Sequence, residues 1–165
     1  MLKLSGSIFI ILSFTFYGIS ASLKQKKRCE SLKNLMRCAK YITLEVSYRK
    51  TRCELILKEA AMLFHLPFLE DVKNSMKESG IYSSFKTALE HHSQSMALND
   101  EDIKAACSLS SLFSYSEDEQ TNAANSVLKL LELSFNNAKT TYDTKSKLIR
   151  SGSLLCGILI AVLLF

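Results

Sequence analysis

Residues 32–46 read LKNLMRCAKYITLEV, and the period of their apolar positions decides the fold class. Leu32, Leu35, Met36, Ala39, Ile42 and Val46 fall at i, i+3, i+4, i+7, i+10 and i+14, which is one face of an α-helix. The overlapping segment YITLEVSY, residues 41–48, alternates strictly and would also suit a strand. A strand needs a partner, and no other segment alternates as strongly. The stretch therefore reads as helical or irregular.

Helical signals continue downstream. Thr51 with Glu54 three residues later is a capping box, in which a hydroxyl and a carboxylate satisfy backbone N–H groups at a helix start, so a second helix begins near Arg52. Its apolar residues, from Leu55 to Phe64, cover a broad face, as expected of a central element. His65-Leu66-Pro67 interrupts it, because proline lacks the N–H donor and disfavours helical geometry in the residue before it. Phe68 to Ser79 reads as a further helix closed by Gly80, and Ile81 to Met96 follows with Phe85, Ala88 and Leu89 on its inner side. Asn99 with Asp102, and Ser116 with Glu119, are cap signatures that open helices near Asp100 and Glu117. In the last helix Ala124, Leu128, Leu131 and Phe135 repeat the helical spacing. One proline and five glycines leave little to break such a chain, and the expected fold is all-α, a small helical bundle of about five helices.

The two ends are apolar. Lys3, the run Ile8 to Ile19 and the small residues Ser20, Ala21 and Ser22 follow the order of a secretory signal peptide, with cleavage expected between residues 20 and 23. The chain closes on SGSLLCGILIAVLLF, residues 151–165. As a helix, residues 154–165 reach about 18 Å, short of a hydrocarbon core about 30 Å thick. An apolar tail behind a polar spacer is the layout of a glycosylphosphatidylinositol attachment signal, which is cut off and replaced by a lipid. Asn136, with Asn137 and Ala138, is the favoured attachment residue, and Ser151 is the alternative. A short transmembrane helix beginning at Leu148 competes with this reading, at about 27 Å, but no Lys or Arg follows it to hold an orientation. The expected organisation is a signal peptide over 1–22, a helical ectodomain over 23–136, a polar spacer over 137–153 and a hydrophobic tail over 154–165.

Cysteines occur at positions 29, 38, 53, 107 and 156, and the last lies in the tail. Four remain once the tail is removed, and in an oxidising compartment they are expected to form two disulfides. Cys29 and Cys38, nine residues apart on one helix, are separated by roughly 13 Å, too far to bond. The least strained scheme joins Cys29 to Cys107 and Cys38 to Cys53. The absence of C-x-x-C argues against a cysteine metal site.

Charge is uneven: residues 23–60 carry eleven Lys or Arg against four Glu, and residues 61–136 carry five Lys against eleven acids. The halves nearly cancel, so there is no surplus basic face for nucleic acid. No nucleophile elbow, phosphate loop or H-E-x-x-H is present. His91 and His92 are adjacent on a helix and point apart, so with His65 they read as surface histidines rather than metal ligands. The acidic runs NDEDI and SEDEQ sit at helix starts, where carboxylates favour the positive end of the dipole. Methionine and phenylalanine stripes read as core, with room for a small lipid between helices as the rival use. The function expected from these features is that of a non-enzymatic secreted or surface-tethered domain that binds another extracellular protein, with a carrier or sensor of small lipids as the alternative. No cofactor and no metal are expected, and the expected partners are the membrane, through the lipid anchor or a C-terminal helix, and an unidentified extracellular protein or small lipid. The expected location is the extracellular face of the cell membrane.

Overall fold

A computed structural model of the chain describes residues 2–49, 52–113 and 117–163. Its α-helices are α1 (Leu2–Leu44), α2 (Cys53–Phe64), α3 (Phe68–Ser79), α4 (Ile81–Met96), α5 (Asp100–Cys107) and α6 (Glu117–Leu163). A π-helical turn, Glu45–Arg49, follows α1, and a 3-10 turn, Ser108–Phe113, follows α5. Among the described residues there is no strand, so the all-α expectation holds, with six helices rather than about five. The stretch where helical and alternating patterns compete is where α1 gives way to the π-helical turn, a device that absorbs a local mismatch without leaving the helix.

The chain forms two compact units: unit 1 is Met1–Cys29 with Asn137–Phe165, and unit 2 is Glu30–Asn136. Helix α1 continues without a break through residues 20–23, where cleavage is expected, and α6 continues through Asn136 and Ser151.

Unit 2 is built by its stop signals. Helix α2 ends at His65 in the left-handed region, φ 53°, and the Leu66 N–H donates back to the Ala61 carbonyl, 3.1 Å away. Leu66 is buried and Pro67 opens α3, so the reversal is both hydrogen-bonded and anchored in the core. Thr51 lies outside the described residues. At Arg52 no side chain caps α2. Gly80 alone links α3 to α4, at φ 78° and ψ 159°, a region open essentially only to glycine. Helix α4 closes on Ala97 at φ 57°, with Leu98 N–H donating to Ser93 at 3.0 Å. The Asn99–Asp102 capping box at α5 is complete: Asp102 N–H donates to Asn99 at 2.8 Å and Asn99 N–H to Asp102 at 3.1 Å.

The core of unit 2 centres on Phe68 and Phe85, both fully buried, with ring centroids 6.2 Å apart, and Phe113 reaches Phe85 at 6.3 Å. Leu32, Leu35, Ala39 and Ile42 are fully buried, as the periodicity of the opening stretch requires. The expected disulfides are not formed. Cys38, Cys53 and Cys107 carry free thiols, so neither the Cys29–Cys107 nor the Cys38–Cys53 bridge exists. Cys38 is instead a core residue with no exposed surface, behaving as a small apolar body. The bundle closes on that core without a covalent staple.

Candidate functional site

Unit 1 pairs the beginning of α1 with the end of α6. A Cβ placed on Gly18 would overlap Ser153 and come within 3.2 Å of the Ile149 carbonyl. One placed on Gly157 would come within 3.1 Å of Phe14 Cβ and 3.3 Å of Ile11 Cα. Higher numbers on α1 thus meet lower numbers on α6, and the two segments run antiparallel. Both glycines are where they are because the backbones approach too closely for any side chain. Ser22, Ala138, Ser146 and Ala161 are also buried, so the seam is made of small residues.

The outside of unit 1 is the reverse of a water-soluble surface. Phe9, Phe16 and Tyr17 on α1, and Leu155, Leu159 and Val162 on α6, each expose more than half of their surface. Hydroxyls in this region turn inward to their own helices: Ser13 donates to the Phe9 carbonyl and Thr15 to Ile11, each at 2.8 Å. These two hydroxyls are therefore satisfied without water, whereas Gln25 Oε1, further along α1, is buried without a hydrogen-bond partner. Apart from Lys3, the basic residues of unit 1 gather towards one end. Lys24, Lys26, Lys27 and Arg28 follow the apolar run of α1, and Lys145, Lys147 and Arg150 precede that of α6. Antiparallel pairing brings the two basic segments to the same end. Among the described residues, no helix is long and apolar enough to cross a membrane.

Unit 2 holds a second constellation. Asp71 on α3 accepts a hydrogen bond from the His92 ring on α4, with Nε2 and Oδ2 2.8 Å apart, and His91 Nδ1 lies 3.9 Å from the same oxygen. The two imidazoles stand edge to face, centroids 5.0 Å apart. Considering only the adjacency of His91 and His92 misses this, because the shared partner comes from across the α3–α4 hairpin. Its only sequence signal is that Asp71 and the histidine pair lie 9 and 11–12 residues from Gly80, a register that antiparallel helices bring together. Beside it, a groove of about 540 Å³ opens to solvent between α4 and α5, lined by Tyr82, Lys86, Glu90, Asp100, Lys104 and Cys107 among others. Burial pushes the Cys107 thiol above its ordinary range, with Glu90 adding to the rise and Lys86 offsetting it. Charged side chains stand beside Tyr82 and Ile103 in its walls, and it opens to solvent, unlike the enclosed apolar cavity that a lipid carrier needs. Asn136 and Ser151, the expected lipid-attachment residues, both lie exposed on α6, and Ser151 donates to the Lys147 carbonyl at 2.9 Å.

Fold and site together define an all-α protein with a small-residue helix pair formed by α1 and α6, and six α-helices among the described residues. The family model of stage III sporulation protein AB matches residues 3–165, and the chain belongs to that family. No curated protein and no solved structure matches it significantly. The family is bacterial, which overturns the expected function and location. Glycosylphosphatidylinositol anchoring is a eukaryotic modification, so the secreted, lipid-tethered, disulfide-bonded ectodomain is incorrect, and the extracellular lipid-carrier alternative goes with it. The match takes in both apolar segments.

Proposed function

We propose that this chain serves bacterial sporulation as a non-enzymatic structural protein held in a membrane by unit 1. The observation that carries this reading is the reversed packing of unit 1, with small residues in the seam and large apolar residues outward. In water each exposed apolar side chain forgoes about 25 cal/mol per Å² that burial would return. In lipid that cost vanishes, and helix association depends instead on close backbone approach at small residues. The basic end of the pair then sits at anionic headgroups, each cation near the surface contributing about 1 kcal/mol. The seating is that of a helix hairpin whose depth is set by its basic end, rather than of two independent spans. A structural role is supported by the solvent-open character of the unit 2 groove and by the absence of a nucleophile motif from the sequence.

Membrane fractionation tests it. Phe16 and Leu155 are 76% and 64% exposed, so charges there leave the seam and the core of unit 2 untouched. The full chain is expected in the membrane pellet after an alkaline wash, and the F16K/L155K variant is expected in the supernatant with its helicity kept. A wild-type chain that stays in the supernatant at low salt would defeat the proposal.

A further inference from the structure

We propose that Asp71, His91 and His92 form a binding site for a divalent first-row transition metal ion, zinc in the first instance, which clips α3 to α4. The inference uses only unit 2 and stands apart from the membrane reading. The ligand atoms of the three residues all lie within 4.8 Å of one another. Zinc binds imidazole nitrogen and carboxylate oxygen at about 2.0–2.2 Å, so neighbouring ligand atoms around it stand about 3.4 Å apart. The observed 2.8 Å and 3.9 Å separations bracket that value. Side-chain rotations alone open the shorter one and close the longer one, while the helices stay in place. Two neutral imidazoles and one carboxylate carry a net charge of −1, which complements a dication and leaves a coordination position for water. This mixed nitrogen and oxygen set selects zinc, cobalt or nickel over magnesium and calcium, which prefer oxygen alone.

The bland account is a helix-to-helix hydrogen bond between His92 and Asp71. It explains His92, whose side chain is 21% exposed. His91 is left over: it is 78% exposed, gains no burial from its position, and still presents Nδ1 to the same carboxylate oxygen. A cation accounts for both rings with one partner. The platform is firm, because α3 and α4 are joined by a single residue and pack extensively against each other.

The test is zinc titration of the full chain in detergent micelles, without a histidine tag, by calorimetry, with cobalt(II) as a spectroscopic probe. One ion per chain is expected, with visible d–d bands characteristic of nitrogen and oxygen ligands. His91→Ala is the decisive variant, since an exposed ring can be removed without disturbing the fold; affinity should fall by about tenfold or more. Asp71→Asn keeps a hydrogen-bond partner for His92 yet removes the anionic ligand, and should fall likewise. Wild-type binding that survives both substitutions, or an intense near-ultraviolet sulfur-to-cobalt band showing that cysteines hold the ion, would overturn the site. So would the absence of any saturable binding.

Discussion

At the scale of single residues, the thiols and the left-handed positions make the sharpest claims. Burial pushes the Cys38 thiol up to about 12, and burial with the neighbouring Glu54 charge pushes Cys53 up to about 11, from 9.0. Between 9 and those values the unfolded chain has lost a proton that the folded chain keeps, so stability falls as pH rises through that window. Urea titrations at pH 7 and pH 10 should register the fall, and Cys38→Ala should lessen it while lowering stability at both pH values. Burial leaves native Cys38 with far less thiolate than a free thiol at neutral pH, so alkylation there should wait for unfolding. Gly80 has open space around its α-carbon, so Gly80→Ala isolates backbone strain, with an expected loss of about 1–3 kcal/mol in chemical denaturation. Ala97→Gly should do the opposite and add about 0.5–1 kcal/mol, since alanine there holds φ at 57°.

Elements were the most legible level, because their ends are written in local chemistry. Phe68–Ser79 and Ile81–Met96 were readable to the residue: Pro67 opens one helix and Gly80 separates the two. The capping box at α5 was readable from Asn99 and Asp102, and Asn99→Ala should cost about 1 kcal/mol by thermal or urea unfolding. The Glu54–Lys77 pair joining α2 to α3 at 2.8 Å was not readable, since it depends on how two helices turn towards each other. Its hydrogen bond and charge hold the Glu54 carboxyl below its ordinary range and the Lys77 ammonium above its own. The Glu54 contribution is present above the ordinary carboxylate pKa and lost as pH falls; the Lys77 contribution is present below the ordinary lysine pKa and lost as pH rises. Lys77 is exposed and Glu54 half-exposed, so solvent screens the pair and the effect of Glu54→Gln should be small at pH 7 in low salt. It should vanish at high salt or at pH 3.

For the whole molecule, the sequence misled where partners are far apart along the chain. Each apolar end, taken alone, resembles a disposable targeting segment; that Gly18 faces Ser153 while Gly157 faces Phe14 has no local signature. The even cysteine count likewise rested on a reading of one segment alone, the removal of Cys156 with the tail. The seam predicts that Gly18→Leu or Gly157→Leu will speed amide hydrogen exchange in residues 2–29 and 137–163 and leave unit 2 unchanged. Cys156 is exposed on α6, so peptide mapping should find it protected from a water-soluble maleimide in vesicles and modified in a chain released by F16K/L155K. The pairing also has a consequence in time. The α1 half of the seam leaves the ribosome before its α6 partner, and at about 5–20 residues per second some 5–20 seconds separate Cys29 from Asn137. Throughout that interval the nascent α1 segment shows its glycine groove and aromatic flank to whatever is nearby, so translation speed and early delivery to lipid should govern the yield of correctly mated protein more strongly than they govern the folding of unit 2.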